Sequence, residues 1–122
     1  LAANVRETHH LLNLVETTIE CVDYRKLMVS GADVCYFIDS PYDDTFGSYS
    51  ANKWGPTEQV RLALHLKNLS RGAVVFATNS DTPRVRALYN GCSMSRINGQ
   101  TSVSCKNEGR GSQPELLIEV RP

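Results

Sequence analysis

The chain has 122 residues, 41% of them hydrophobic, and its 13 basic residues balance 13 acidic ones. This length suits one domain with a single core and is too short for two, so we expect residues 1–122 to form a single domain. The neutral charge balance does not indicate nucleic-acid binding by bulk electrostatics, so a nucleic-acid contact must be local. No apolar run approaches the ~20 residues of a membrane helix, which predicts a soluble, cytoplasmic protein.

The four cysteines lie far apart in the sequence, at Cys21, Cys35, Cys92 and Cys105. None of them forms a C-x-x-C pair or has a histidine at zinc-ligand spacing, so we expect no metal site. Isolated cysteines of this kind are typical of core or strand positions in a reducing compartment.

Helical and strand patterns alternate through the first half of the chain. Apolar residues at helical spacing predict an amphipathic helix over 2–15, and alternation of polar and β-branched residues predicts a short strand over 17–22. One or two helical turns follow over 24–29. The apolar run 34–38 predicts a buried strand over 33–38, which ends in the turn Asp39-Ser40-Pro41-Tyr42.

A long loop over 43–55 separates this turn from the second half of the chain. Pro56 opens a helix that the apolar spacing continues to residue 69, and the next buried strand is predicted over 73–77. Asp81 is placed to cap the helix that follows over 83–89. Beyond it, residues 92–122 predict two or three strands around a basic, glycine-rich loop. This order favours an α/β fold with a mostly parallel sheet, helices on its faces and a C-terminal hairpin.

The turn after the first buried strand combines an acid, a backbone carbonyl and an aromatic ring. The exocyclic amine of a nucleobase is a poor nucleophile because its lone pair is delocalised into the ring. If the Asp39 carboxylate and the Ser40 carbonyl accept its two N–H groups, the lone pair becomes localised on nitrogen. Stacking on Tyr42 is worth ~1–3 kcal/mol, comparable with the cost of turning a base out of a duplex. The residues therefore suit an enzyme that acts on an extruded base.

Asp39-Ser40-Pro41-Tyr42 resembles the D-P-P-Y signature of amino-group DNA methyltransferases. Its surroundings resemble the Dam-type (D12 class) adenine-N6 branch over nearly the whole chain, with the acid-aromatic pair Asp23-Tyr24 before it and Asn79-Ser80-Asp81-Thr82 after it. The resemblance implies a Rossmann-like fold, S-adenosylmethionine as cofactor, and transfer of its methyl group to N6 of a flipped adenine in double-stranded DNA. It also implies a bacterial or phage-encoded protein.

The resemblance assigns roles to nine residues of this sequence. Asp39, Ser40, Pro41 and Tyr42 are the implied catalytic residues; Asp23, Tyr24 and Asp39 are the implied cofactor-binding residues; and Tyr49, Asn79 and Arg110 are the implied DNA-binding residues. In the family, the acid-aromatic pair holds the adenine part of S-adenosylmethionine.

Two departures from the family pattern are visible. Ser40 replaces the first proline of the signature, which keeps the carbonyl acceptor but leaves only Pro41 to fix the backbone φ angle. The family's Phe-x-Gly cofactor motif and its target-recognition segment do not lie within residues 1–122. We therefore expect an N-terminally incomplete catalytic domain that does not methylate DNA by itself.

Other interpretations of the same residues remain open. Asp39 can be an ordinary turn acid, and Asp23 can be the N-cap of the short helix that follows it. The aromatic residues of the long loop, such as Tyr49, can anchor that loop to the core, and Asn79 can bind the helix below it rather than line a cleft. For the whole chain, the alternatives are a methyltransferase acting on an RNA base amine and a catalytically silent binding or scaffold module.

Overall fold

A computed structural model describes residues 2–27, 33–43, 54–97 and 114–122 of the chain. Phe46, Tyr49, Cys105 and Arg110 lie outside the described residues, as do the greater part of the long loop and of the basic loop. The elements, numbered in chain order, are α1 (Ala2–Leu14), α2 (Tyr24–Leu27), β1 (Cys35–Asp39), α3 (Pro56–Leu69), β2 (Val74–Ser80), α4 (Pro83–Leu88), β3 (Ser93–Ile97) and β4 (Glu115–Glu119).

The four described strands form one sheet in the order β1-β2-β4-β3. β1 and β2 are parallel, whereas β4 is antiparallel to both of its neighbours, β2 and β3. The α/β class is as predicted, and β3 and β4 are the antiparallel neighbours that the predicted hairpin requires. The expectation of a mostly parallel sheet is not confirmed, because the described sheet is mixed. The sequence pattern of a strand does not show whether the strand pairs parallel or antiparallel to its neighbours. β4 lies between β2 and β3 and is antiparallel to both, which makes the sheet mixed.

The core lies between one face of the sheet and the helices α3 and α4. Val75 and Ala77 of β2 and Leu116 and Ile118 of β4 are buried, because alternate residues of a strand point to the same face. The helices cover this face with Leu62, Ala63, Leu66 and Leu69 from α3 and with Val85 and Tyr89 from α4 and its end. Burial of these side chains provides the main stabilisation of the described fold.

Local sequence explains where α3 and α4 begin. Each helix has proline at its first position, where the missing N–H costs nothing. Thr82 is the N-cap of α4, and its hydroxyl accepts a hydrogen bond from the Val85 N–H at 3.1 Å. The prediction that Asp81 caps this helix is therefore wrong, because the carboxylate of Asp81 instead pairs with Arg86 and Arg96.

Two predicted strands differ from the structure. β2 continues beyond residue 77 to Ser80, because Thr78, Asn79 and Ser80 are paired with residues of β4. Residues 17–22 are not a strand, and Ile19 is 84% exposed there. A strand needs a partner for its backbone hydrogen bonds, and among the described residues this segment has none in the sheet.

The first helix follows its predicted bounds to within one residue. Its described side chains, from Asn4 to Leu14, are all exposed, so its apolar residues do not contribute to the core of the described structure. Across the described part of the chain, no helix combines the length and the apolar character needed to cross a lipid bilayer.

Candidate active site at the end of strand β1

Asp39 is the last residue of β1 and lies at the carboxyl end of a parallel strand pair. Its register partner on β2 is Thr78, whose hydroxyl donates a hydrogen bond of 2.7 Å to Asp39 Oδ1. Thr78 is buried, whereas Asp39 is exposed. One carboxylate oxygen is thereby oriented by the protein, while the group as a whole remains accessible to a ligand.

Tyr42 lies beside this carboxylate. Its side chain is half-buried, and its hydroxyl interacts with the side chains of Thr78 and Asp39. Burial raises the pKa of the Tyr42 phenol above its usual value of 10.0, although the hydrogen bond with Thr78 acts in the opposite direction. The phenol therefore stays neutral at physiological pH, which suits a ring that stacks on a base.

Two buried amide side chains fix the turn between Asp39 and Asp43. Gln59 Nε2, on the first turn of α3, donates to the Pro41 carbonyl at 2.8 Å. Asn79 Oδ1 accepts from the Asp43 N–H at 2.8 Å, and Asn79 Nδ2 donates to Gln59 Oε1 at 3.1 Å. The turn is thus connected to both β2 and α3 by hydrogen bonds.

Asp43 connects the same turn to the start of α4. Its side chain is 5% exposed, and its carboxylate accepts hydrogen bonds from the Thr82 hydroxyl at 2.7 Å and from Arg84 at 2.5 Å. The Ser80 hydroxyl donates to the Asp43 carbonyl at 3.0 Å. The backbone carbonyl and both carboxylate oxygens of Asp43 accept hydrogen bonds from other residues of the protein, so Asp43 has a structural role in the site.

The predicted acid-aromatic pair lies at the start of α2. The Asp23 carboxylate accepts from the Arg25 backbone N–H at 3.0 Å and from two guanidinium nitrogens of Arg25, at 2.8 and 2.7 Å. The guanidinium bonds, followed by the backbone bond, hold the pKa of this carboxyl well below its usual range. Asp23 therefore caps α2, as one of its two interpretations predicted, and remains exposed.

Tyr24 belongs to an aromatic cluster with Trp54 and His65. Its ring centroid lies 6.3 Å from that of Trp54 and 5.7 Å from that of His65, both in edge-to-face geometry. The Tyr24 hydroxyl, Trp54 Nε1 and His65 Nε2 are buried without a hydrogen-bond partner among the described residues. Burial raises the pKa of the Tyr24 phenol. A bound ligand or water molecule can supply the hydrogen-bond partners that such buried polar atoms lack in the described structure.

A cavity of about 210 Å³ lies between Tyr42 of the turn and Trp54 of the aromatic cluster. It is lined by Tyr42, Asp43, Trp54, Gly55, Pro56, Gln59 and Arg84. Of the predicted signature residues, Tyr42 faces it, whereas Asp39 lies outside the lining. Trp54 both contacts Tyr24 and lines the cavity, so it places the acid-aromatic pair next to the signature turn. The volume is below the ~300 Å³ at which small-molecule sites begin.

The structure brings together most of the described residues predicted for the site. Asp39, Ser40, Pro41 and Tyr42 form one turn, and Asn79 lies directly beneath it, 1% exposed and bonded to Asp43 and Gln59. The predicted DNA contact of Asn79 stays a prediction, and its side chain is placed to support the turn. Tyr49 and Arg110 lie outside the described residues.

Sequence reasoning did not identify several residues that hold the turn in place. Gln59 carried a visible signal, because it is a polar residue on the same helical stripe as the buried Leu62, Ala63 and Leu66. The dipeptide Thr82-Pro83 also carried one, as the typical N-cap and first position of a helix. Thr78 carried none, since its contact with Asp39 depends on the register of two strands. Within the described part of the chain, no group of three or more potential metal ligands is present.

The fold and the site define an α/β protein with an oriented acid and an aromatic ring at the carboxyl end of a parallel strand, as in open α/β sheets that bind ligands there. The chain belongs to the family of D12 class N6 adenine-specific DNA methyltransferases, whose family model matches residues 2–104. The family that the signature predicted is therefore confirmed, and this family has the α/β fold of S-adenosylmethionine-dependent enzymes.

Three similar proteins are named as DNA adenine methyltransferases or methylases. The chain is 33% identical over 106 residues to the DNA N-6-adenine-methyltransferase of Escherichia phage P1, 29% identical over 105 residues to the DNA adenine methylase of Haemophilus influenzae, and 32% identical over 91 residues to the Retron Ec67 DNA adenine methylase of Escherichia coli. These matches cover 80%, 80% and 74% of this chain. They cover only 14%, 37% and 32% of the relatives, so the chain spans less than half the length of each.

The described residues fit one end of the cofactor that the family uses. The exposed Asp23 carboxylate suits a hydroxyl or amine donor, and the Tyr24–Trp54–His65 cluster offers aromatic surface together with buried polar atoms that lack partners in the described structure. These features match the polar and aromatic character of an adenosine group. The cavity beside them is too small to enclose the whole cofactor.

Proposed function

We propose that this chain forms the catalytic part of a Rossmann-like, site-specific DNA adenine-N6 methyltransferase. The observation that carries the proposal is the pairing of Asp39 with Thr78 at the end of β1, with Tyr42 directly beside it. This geometry occurs in a chain that belongs to a family of adenine-specific DNA methyltransferases.

The chemistry assigned to the turn is activation of an amine. Asp39 Oδ2 and the Ser40 carbonyl accept the two N–H groups of the adenine N6 amine, while Thr78 holds Asp39 Oδ1. Acceptance of both N–H groups favours tetrahedral geometry at nitrogen and localises its lone pair. Because the acceptors are fixed before the base arrives, they stabilise the positive charge that develops on N6 without reorganising. The new C–N bond would form as the methyl–sulfur bond of the donor breaks and leaves a neutral thioether, and the proton lost by the methylated nitrogen would pass to Asp39 Oδ2 and from there to water.

Base binding is assigned to the aromatic and amide residues around the turn. The neutral Tyr42 ring stacks on the extruded adenine, a contact worth ~1–3 kcal/mol. Gln59 and Asn79 keep the turn in place from beneath, so the distance between the acceptors and the ring is preserved. Tyr49 and Arg110 are proposed to contact DNA, the latter through a phosphate.

S-Adenosylmethionine supplies the electrophilic methyl group when it is bound. Asp23 and Tyr24 are proposed to hold its adenosine end, next to the Trp54 side of the cavity. Asp39 is proposed to face both ligands. We also propose that the isolated chain does not methylate DNA, since the described cavity is smaller than the ~300 Å³ at which small-molecule sites begin.

Methyl transfer by a chimera tests this function. The 105 residues that match this chain in the Haemophilus influenzae DNA adenine methylase are exchanged for those of this chain, and N6-methyladenine is measured by mass spectrometry in DNA and in RNA substrates. We expect methylation of DNA adenine, and its loss in the Asp39→Ala variant. Undiminished methylation by Asp39→Ala would contradict the proposal. Methylation of RNA but not of DNA would show that the substrate is RNA rather than DNA.

A surface acid provides the matched control. Glu119 lies at the end of β4, its side chain is 45% exposed, and it pairs with Arg121 at 3.3 Å, away from the turn. Glu119→Ala removes a strand-end carboxylate of the same charge and is expected to leave methylation within about twofold of the unmodified chimera, since exposed ion pairs contribute little.

A further inference from the structure

Two buried carboxylates hold arginine side chains at the surface beside the candidate site. The side chains of Asp43 and Asp81 are only 5% and 3% exposed. Asp43 pairs with Arg84 at 2.5 Å, and Asp81 pairs with Arg86 at 2.5 Å and with Arg96 at 2.6 Å. These arginine side chains are between 44% and 67% exposed. The cluster therefore presents guanidinium groups, rather than carboxylates, to the solvent.

Two of these arginines lie at the edge of the sheet that carries the signature turn. Arg96 is the next-to-last residue of β3, and the residue of β4 that pairs with the end of β3 also pairs with Ser80, the last residue of β2. Asp39 lies at this same end of the β1–β2 pair. Arg84 lines the cavity together with Tyr42. Positive charge is therefore concentrated next to the turn that is proposed to bind the extruded base.

The pairing of Asp81 involves more positive charge than its carboxylate requires. Arg86 already donates two hydrogen bonds to it, from Nε at 2.5 Å and from Nη2 at 2.9 Å. Arg96 adds a third, from Nε at 2.6 Å. One carboxylate between two guanidinium groups leaves one positive charge uncompensated. Arg96 also has further donors on its two terminal nitrogens, which suit a second anion.

A backbone phosphate of DNA matches these groups. Arginine presents a planar fork of N–H donors that fits phosphate oxygens, and arginine contacts to phosphates position a protein on a duplex. A buried carboxylate that holds the guanidinium group before the ligand arrives reduces the side-chain freedom lost on binding. The chain's 13 basic and 13 acidic residues give no net attraction to DNA, so its phosphate contacts depend on local groups of this kind.

We propose that Arg84 and Arg96 bind backbone phosphates of the DNA that contains the extruded adenine, and that Asp43 and Asp81 hold these two guanidinium groups in place. The inference rests on the proposed function and adds two DNA-binding residues to it. Because DNA binding is measured without methyl transfer, the inference and the function can fail separately.

The salt dependence of DNA binding tests the proposal. Binding of a short fluorescein-labelled duplex to this chain and to the chimera is followed by fluorescence anisotropy over a series of KCl concentrations, without cofactor. Each phosphate contact contributes about 0.9 to the slope of log K against log salt concentration. We expect Arg84→Gln and Arg96→Gln each to reduce the magnitude of this slope by about 1, and to weaken binding equally for duplexes of two unrelated sequences.

Arg121 provides the matched control. Its side chain is 60% exposed and pairs with Glu119 at 3.3 Å, as an arginine and an acid do in the proposed surface. Glu119 is the last residue of β4, at the opposite end of that strand from Glu115, which pairs with Ser80. We expect Arg121→Gln to leave the slope unchanged. An equal reduction by Arg121→Gln would show an effect of total charge and would contradict the proposal.

Two further measurements separate phosphate binding from a structural role of the arginines. Arg84→Lys keeps the charge and is expected to keep the slope, whereas a loss as large as in Arg84→Gln would show that Arg84 acts only by holding the turn through Asp43. Arg96→Gln leaves Asp81 its two hydrogen bonds from Arg86, so we expect urea denaturation to show a folded protein with a reduced slope.

The remaining outcomes also decide the question. DNA binding that depends on both arginines, in a chimera that does not methylate, supports the surface and counts against the function. DNA methylation with a slope that neither substitution changes retains the function and overturns the surface. If the chimera does not fold, the isolated chain decides, and an absence of binding at the lowest salt concentration overturns the proposal. Tighter arginine-dependent binding of duplex RNA of the same sequence overturns it in favour of RNA.

Discussion

The position of the Asp39 carboxylate depends on a hydroxyl group of the neighbouring strand. Thr78 is buried, and its donor bond to Asp39 Oδ1 is 2.7 Å long. Because a buried hydroxyl keeps its direction, the second carboxylate oxygen also keeps its direction. We therefore regard Thr78 as a positioning residue that acts through Asp39.

Replacement of Thr78 by valine removes this bond and retains the shape of the side chain. A hydrogen bond to a charged group contributes ~1.5–3 kcal/mol, so we expect kcat for methyl transfer by the chimera to fall by roughly 10- to 150-fold. Thr78→Ser, which restores the hydroxyl, is expected to recover most of that loss, with little change in KM for DNA. A Thr78→Ser variant as slow as Thr78→Val would show that the hydroxyl does not matter.

At the scale of elements, the turn from Asp39 to Asp43 is fixed by three different parts of the fold. Gln59 of α3 binds the Pro41 carbonyl, Asn79 of β2 binds the Asp43 N–H, and the Asp43 carboxylate binds Thr82 at the start of α4. A displacement of any one of these elements therefore changes the position of the turn.

Asp43→Ala is expected to lower the free energy of unfolding by ~1–3 kcal/mol, because the hydroxyl of Thr82 and the turn lose a buried acceptor. Chemical denaturation of the full chain measures this change. Glu58→Ala is the matched control: its carboxylate forms a local surface pair with Arg61, so its effect is expected to stay within ~0.5 kcal/mol. Equal losses in both variants would contradict the connecting role of Asp43.

The start of α4 also makes stability dependent on pH. Hydrogen bonds from Arg86 and then from Arg96 lower the pKa of Asp81 from 3.8 to about 2. A carboxyl whose pKa is lowered by folding stabilises the protein above its unfolded pKa, and this contribution is lost as the pH falls through the folded pKa. We expect Asp81→Asn to be less stable than the unmodified chain at pH 6. Urea denaturation should show the difference disappearing between pH 3.8 and about 2, and a difference that persists at the lowest pH would contradict it.

Element boundaries were predictable where local chemistry decides them. Pro56 and the stripe that ends at Leu69 give α3 its observed bounds, and the apolar run before Asp39 gives β1 to within two residues. The extension of β2 through Thr78 to Ser80 was not predictable, because it depends on pairing with β4, which is distant in sequence. The strand expected over 17–22 failed for the same reason, since a strand pattern does not form a strand without a partner.

At the scale of the whole molecule, the described fold has two layers, with α3 and α4 on one face of the sheet. Leu66 is completely buried between these layers, whereas Leu64, two residues earlier on the same helix, is 65% exposed. The stability of the described fold therefore depends on one side of α3.

Leu66→Ala leaves a cavity in the core and is expected to lower the free energy of unfolding by ~2–5 kcal/mol. Leu64→Ala makes the same chemical change on the exposed side and is expected to cost no more than ~0.5 kcal/mol. Thermal or urea denaturation of both variants measures the difference, and similar losses would mean that Leu64 is covered in solution.

Trp54 is the chain's one tryptophan, and its position gives the protein an intrinsic optical reporter. Its ring contacts Tyr24 and lines the cavity beside Tyr42, and its buried indole N–H has no hydrogen-bond partner among the described residues. Indole emission responds to polarity and to stacked aromatic groups. A ligand that enters between the acid-aromatic pair and the signature turn should therefore change the fluorescence of the unlabelled protein, which allows occupancy of the site to be followed separately from catalysis.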